Sequence, residues 1–368
     1  MKTSNVARGV FMMVAGGVVL VSLMLLLSSC VAEMQDDAVE QAYEQRMMGN
    51  VDSAQVILER VLAADSTHAA AWFELARTKQ HIGLGNPRML MEGLESLQQA
   101  AENAATNDPA NVIYAHYKGY VSFFRAYASF MRGQPDAAER VAEVVAAYDA
   151  VLELDQDFHE ARLFLVEILS APSEMGGDAV KAEAHVKQLE ERDPVLGAKA
   201  RELILAEDVD RVQFWQTKLE ENPGSADLME QLGKAYLYQE KTEEGMQQLE
   251  ATLQADPTKQ LLLLDIAKYH MMVFRQDASQ SEIALPKAKD AISRYLTTEP
   301  IRPLRAYALH TLARIEERLG SKEAAETLFD EAQEQDPHVS KAFAAPPGIL
   351  FTKLDEVAHF HSFFSRPF

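Results

Sequence analysis

An acidic residue followed by proline closes one amphipathic run after another along this chain: Asp108-Pro109, Asp193-Pro194, Asp256-Pro257, Glu299-Pro300 and Asp336-Pro337. Runs such as EEGMQQLEATLQADP and KEAAETLFDEAQEQDP space their apolar residues three and four apart, as a helix with one buried face requires. Proline cannot continue a helix, so each acid-proline pair marks a stop. The clearest unit, Ala226–Lys259, is 34 residues long, and its landmarks return over Ala306–Val339. A fixed period of this size argues against a single globular core, because one helix pair cannot bury both its apolar faces and must stack on its neighbours. No stretch alternates strongly enough to predict a strand.

Within Ala226–Lys259, Leu232, Gly233 and Tyr236 in the first helix and Pro257 after the second resemble the tetratricopeptide (TPR) consensus. Ala306–Val339 is similar at Ala313, Gly320, Ala325, Phe329, Ala332 and Pro337, while Gly245 stands where that consensus prefers alanine. A degenerate unit starts at Gln35, with Ala42, Gly49, Ala54 and Leu58 and with Ser66 in place of proline; another starts at Ala69, with Trp72, Leu75 and Ala76. Two units, Ala69–Pro109 and Gln260–Pro300, are stretched by nine residues. In the less regular middle, residues 112–155 read as a helix pair hinged at RGQPD and 158–194 as a pair split by SAPSEMGGDA. Residues 198–223 read as a third pair, with Trp215 at the bulky second-helix position.

The expectation is an all-α fold, a right-handed TPR-type α-solenoid of about eight helix pairs over residues 35–337. The resemblance implies a binding architecture whose first helices line a concave surface. Repeat register then points to Phe73, Arg77, Tyr117, Tyr120, Glu230, Lys234, Tyr238, His310, Arg314 and Arg318 as concave contacts.

The ends follow other rules. Lys2 and Arg8 precede Val10–Leu27, 18 residues without a charge, which is the layout of a secretory signal and long enough for an uncleaved anchor. Leu27-Ser28-Ser29-Cys30 holds the chain's only cysteine and resembles the bacterial lipobox. That resemblance implies removal of residues 1–29, a lipid thioether on Cys30, and a short linker over 30–34. Val31 in place of an aspartate departs from the inner-membrane retention pattern. The expected location is therefore a bacterial cell envelope, lipid-anchored, with the outer membrane favoured and the solenoid facing the periplasm; the alternative is a single-pass inner-membrane anchor. One cysteine permits no disulfide within the chain, so stability rests on burial. The tail over 338–368 abandons the repeat, with AFAAPPGILF extended by proline and TKLDEVAHFHSFF a short amphipathic helix. Its apolar residues call for cover, as a cap on the repeats or a docking segment.

The formal charge is −21, and loss of Lys2 and Arg8 makes it −23. Nucleic acid and anionic lipid surfaces require basic patches, so neither is an expected partner. No Gly-x-Ser-x-Gly, P-loop or dinucleotide fingerprint occurs, and none of the ten histidines stands at metal-ligand spacing. Neither catalytic residues, a metal nor a cofactor is expected. Two features invite a sharper reading. The stripe Tyr114, Tyr117, Tyr120, Phe123, Phe124, Tyr127 and Phe130 suits either a core helix or an aromatic groove for a peptide or apolar small ligand. In PSEMGGDAVKAEAHV, Gly176, Gly177, Asp178, Lys181 and Ala182 resemble a pattern in TPR lipoproteins associated with TRAP transporters. The bland account of that loop is a glycine turn with Asp178 capping the next helix. The function expected is a membrane-tethered scaffold for protein or peptide partners. The second reading is a ligand-binding accessory of a TRAP-type solute transporter.

Overall fold

A computed structural model of the chain describes residues 34–84 and 87–338, and every regular element in that span is helical. The signal segment, Cys30 and the tail beyond His338 lie outside the described residues. Among the described residues, sixteen α-helices follow one another. The first four pairs are α1 (34–47) with α2 (Val51–Ala64), α3 (Ala69–Leu84) with α4 (Pro87–Asn107), α5 (Val112–Met131) with α6 (Ala137–Leu154), and α7 (His159–Leu169) with α8 (Ala179–Arg192). Then come α9 (Pro194–Leu203), α10 (Arg211–Glu221), α11 (Ala226–Tyr238), α12 (Thr242–Ala255), α13 (Leu262–Gln276), α14 (Ser281–Leu296), α15 (Arg302–Arg318) and α16 (Lys322–Gln335). Each helix packs chiefly on its neighbours in sequence, which makes the molecule an α-solenoid.

The recurring aspartate does more than precede a stop. Asp65, Asp155, Asp193, Asp256 and Asp336 each leave the helix in extended backbone. In each the carboxylate accepts from the backbone N–H two residues on, at 2.8–3.0 Å. This Asx turn redirects the chain from a second helix into the next first helix. It works without proline, as at Asp65 and Asp155. Two acid-proline junctions differ: at Asp108 the carboxylate accepts from Asn111 Nδ2 at 3.2 Å, and at Glu299, one methylene longer, the backbone takes a left-handed φ of 54°.

Close helix approach is built with glycine. An ideal Cβ on Gly245 would lie 2.5 Å from Leu237 Cδ2 and 3.1 Å from the Gly233 carbonyl oxygen; one on Gly233 would lie 2.5 Å from Leu249 Cδ2. The first and second helices of this pair therefore touch backbone to backbone. Alanine in place of a helical glycine ordinarily gains about 1 kcal/mol of helix propensity. At Gly245 the extra carbon overpacks the contact, at about 1–3 kcal/mol. Gly245→Ala should therefore lower the denaturation midpoint, against the TPR consensus, and an equal or higher midpoint would refute this.

The fifth pair departs from expectation. Helix α9 packs on α7 and α8, and α10 packs on α11, so residues 198–223 do not form a regular hairpin. Asp193 ends α8 and caps α9 in the same residue, leaving no loop between them. Gly197 brings α9 onto α8 so closely that a Cβ would lie 2.5 Å from Glu190 Cα. What joins α9 to α10 is Trp215, fully buried among Ala198, Val212, Leu228, Leu232 and Ala235.

The stack also meets itself. In a series of antiparallel pairs, first-helix C-termini and second-helix N-termini share one rim, and second-helix C-termini lie on the other. Gly49, between α1 and α2, and His81, in the last turn of α3, belong to the first rim. Asp336, following α16, belongs to the second, yet His81 Nε2 lies 2.7 Å from Asp336 Oδ2. The solenoid has come round until its last rim rests on its first, like a split washer.

Candidate functional site

The first helices carry a polar stripe that most of the core lacks. In α1 and α3 it consists of Arg46, Glu74, Arg77, Thr78 and His81, all buried. Arg46 Nε donates to Glu74 Oε1 at 2.5 Å, and Arg77 donates to Glu74 Oε2 through Nε at 2.8 Å and Nη2 at 2.5 Å. The Arg77 guanidinium lies 4.5 Å from the Phe73 ring centre, and both guanidiniums lie 5.4 Å from that of Tyr43. Burial alone would raise the Glu74 carboxyl; the two guanidiniums outweigh it and hold the group below the usual carboxylate range. Burial pushes the His81 imidazole below its usual range despite the pull of Asp336, so a neutral ring donates Nε2–H to that carboxylate. The stripe continues onto α5, where the Tyr117 hydroxyl donates to Gln80 Oε1 at 2.7 Å and Gln80 Nε2 donates to the Tyr120 oxygen at 3.3 Å.

A second polar set occupies the same stripe farther on. Lys234 Nζ lies 2.8 Å from Glu230 and 3.5 Å from Asp265 on α13. Lys259 Nζ lies 2.8 Å from Glu230 and 2.6 Å from Asp227. Burial would raise the Glu230 carboxyl, but Lys234 and Lys259 prevail and lower it. Lys289 reaches Glu316 on α15 at 2.5 Å. Neighbouring helix pairs are thus joined across this face by ion pairs as well as by apolar packing.

The sequence-predicted contacts separate into three groups. Phe73, Arg77, Tyr117 and Tyr120 come together and are buried, the Phe73 and Tyr117 rings 5.3 Å apart. Glu230 and Lys234 form the second set just described. In the third, His310 packs on the Phe329 ring at 5.0 Å, Arg314 is half-buried, and Arg318 extends over Phe274. Tyr238, 55% exposed, and Arg318 are the members of the ten that stand well into solvent. Arg46, Glu74 and His81 were not singled out by the sequence, and Asp336 only as a helix stop. A signal existed for one pair, since Glu74 and Arg77 in FELAR stand three apart on a helix; nothing in the sequence joins His81 to Asp336.

The aromatic stripe belongs to the core. Tyr114, Tyr117, Tyr120 and Phe124 are buried together with Tyr148 and Phe164, the last two stacked at 5.2 Å, and Phe130 is exposed at the end of the helix. The glycine loop is a turn: a short 3-10 segment, Ser173–Met175, ends on Gly176 at a φ of 89°. A Cβ on Gly177 would collide with the Ala171 carbonyl, and the Asp178 carboxylate caps α8 through Val180 and Lys181 N–H groups, each at 3.1 Å. Among the described residues no helix is long and apolar enough to cross a membrane. Nor does any group of three or more His, Cys, Asp or Glu among them form a metal-holding set.

Residues 306–339 match the tetratricopeptide repeat family model. No curated protein matches the chain. Among solved structures, the chain is similar to a tetratricopeptide repeat protein from Parabacteroides merdae ATCC 43184, at 12% identity over 85% of this chain and 100% of that one, with a TM-score of 0.35. A thermophilic TPR protein of Thermus thermophilus, TTC0263, is 15% identical over 62% of this chain and 94% of that one, with a TM-score of 0.33. YrrB, described as a TPR protein with an unusual peptide-binding site, is 16% identical over 61% and 88%, with a TM-score of 0.27. Residues 306–339 thus carry a tetratricopeptide repeat, and the run of stacked helices around it is an α-solenoid.

Proposed function

We propose that this chain is a scaffold of the cell envelope, tethered to a membrane through Cys30, which binds protein or peptide partners along the stripe of its first helices. The observation that carries the reading is the stripe itself. Charged side chains recur on the first helices, Glu74 and Arg77 on α3, Glu230 and Lys234 on α11, Asp265 on α13 and Arg314, Glu316 and Arg318 on α15, buried at the start of the stack and reaching solvent at Arg318, while the apolar residues pack between the helices. Repeat stacks present such a face to other polypeptides, and a mixed, ion-paired face selects by charge register more than by bulk hydrophobicity. Binding rather than catalysis is the activity supported. The side chains that a closed aromatic ligand cavity would use, Tyr114 to Phe124, are packed on one another, which favours the scaffold over a transporter accessory.

The tether is tested at Cys30. Cys30→Ala should abolish incorporation of labelled fatty acid and leave a precursor of higher mass; unchanged processing in that variant would remove the lipid anchor from the reading. The scaffold is tested in the same membranes with a photo-crosslinking residue at Tyr238 or at Arg318. Discrete adducts of defined mass are expected at these positions and not at Val56, which is exposed on the second helix α2. Equal adducts at all three would refute a partner-binding inner stripe.

A further inference from the structure

The contact between the two ends of the solenoid has the anatomy of a docked ligand. On one side, Gln335, Asp336, Pro337 and His338 form a turn at the end of α16. Asp336 Oδ1 is used for the Asx turn, accepting from His338 N–H at 2.9 Å, the same bond made at Asp65, Asp155, Asp193 and Asp256, which leaves Oδ2 to reach His81. Both side chains are fully buried, although the residues lie 255 apart in sequence. On the other side, Gly49 takes a φ of 79° with its Cα against the Gln335 carbonyl, where a Cβ would not fit. An open cleft of ≈ 340 Å³ runs along this seam, lined on one side by Met48–Ser53 and on the other by Gln333–Gln335, Pro337 and His338.

The receiving edge is built from α1, α2 and α3 alone. Two guanidiniums, Arg46 and Arg77, hold a single carboxylate, Glu74, beside the neutral His81, and the turn brings a second carboxylate, Asp336, to His81, in a chain whose formal charge is −21. Every other junction in the stack is also held by the continuing chain. This one is a heterologous contact between unlike edges, so nothing in its geometry requires both edges to come from one molecule.

We propose that the edge formed by His81, Arg46 and the Gly49 turn is a docking site for an acidic peptide turn, that the chain's own Gln335–His338 occupies it, and that a partner segment with an aspartate at a helix end displaces this occupant and opens the solenoid. The proposal rests on the scaffold reading and names the chemistry of its partner; it does not depend on the lipid anchor. Occupation in cis weakens the apparent affinity of any competing segment by the fraction of molecules that are open. The closed form therefore admits only a partner that is abundant, tethered nearby or a better ligand than the chain's own turn.

The probe is a fluorescent, N-acetylated and C-amidated peptide with the sequence FDEAQEQDPH, residues 329–338. Full-length chain carrying Asp336→Ala should bind it at least about tenfold more tightly than the unaltered chain, because the cis competitor is weakened. The double variant H81A/D336A should lose that gain. A peptide with asparagine in place of the aspartate before its proline should bind the D336A chain about tenfold more weakly. Small-angle scattering should show a larger radius of gyration for D336A than for the unaltered chain. If D336A loses its helical circular dichroism, D336N, which retains the acceptor for His338 N–H, takes its place with the same readings. Equal affinity of the altered and unaltered chains, or indifference to His81 or to that peptide aspartate, overturns the proposal. Should those results coincide with discrete crosslinks at Tyr238, the scaffold reading stands and only this site falls.

Discussion

Replacing Glu74 with glutamine should lower the stability of the folded chain by about 3–5 kcal/mol, read as a fall in the urea midpoint at pH 7. The carboxylate is fully buried and receives three hydrogen bonds from Arg46 and Arg77 within 2.8 Å. Glutamine keeps the shape and removes the charge, leaving two guanidiniums in a site with little water. The effect has a pH signature. Because the folded-state carboxyl is held below its ordinary value, its contribution is fully present above the unfolded glutamate value of about 4.3. It is lost as pH falls through the lower folded-state value, so E74Q and the unaltered chain should converge in acid. Replacing the whole cluster by R46M/E74L/R77M should cost less than E74Q alone, since no buried charge is then stranded. A midpoint unmoved by E74Q would mean that Glu74 does not hold these cations in the fold.

The same cluster shows where sequence stops being informative. The helix pairs were legible because their determinants are local: apolar spacing within a helix, and an aspartate whose carboxylate turns the chain two residues later. Even the irregular junctions at Asp65 and Asp155, which lack proline, use that bond. The stretched unit near the C-terminal end was legible too, and its extra length is absorbed by long α13 and α14 helices with a 3-10 turn, Ala278–Gln280, between them. The fifth pair was misread because periodicity finds helices without saying which neighbour each will choose. Gly197 and the shared cap at Asp193 decide that α9 sides with α8, and both act through close approach in space. The ten candidate contacts lie on first helices, as repeat register requires, but their exposure was not legible. Phe73, Arg77, Tyr117 and Tyr120 are covered by contacts that register cannot foresee. Asp336 is the extreme case: its role as a turn is local, and its role opposite His81 depends on the curvature summed over the whole stack.

That curvature can be tested through Trp215. Trp215→Ala should cost about 3–5 kcal/mol, because a fully buried indole leaves a cavity that its neighbours fill only in part. Its Nε1–H also donates to Glu202 Oε1 on α9 at 2.9 Å, so the one side chain ties α1–α9 to α10–α16. In an open repeat stack, breaking a middle junction lets the two halves unfold separately. Trp72, whose indole donates to the Ser66 carbonyl at 2.8 Å, remains to report the first half by fluorescence while circular dichroism reports both. Here, however, the halves are joined twice, at Trp215 and at the seam between His81 and Asp336. W215A alone should therefore keep coincident transitions by the two probes, and W215A/D336A should separate them. The double-mutant cycle should show a loss greater than the sum of the single losses, even though the two sites share no contact and distant sites ordinarily add within about 0.5 kcal/mol. Strict additivity, with the transitions already separated in W215A, would describe an open solenoid whose ends touch without holding.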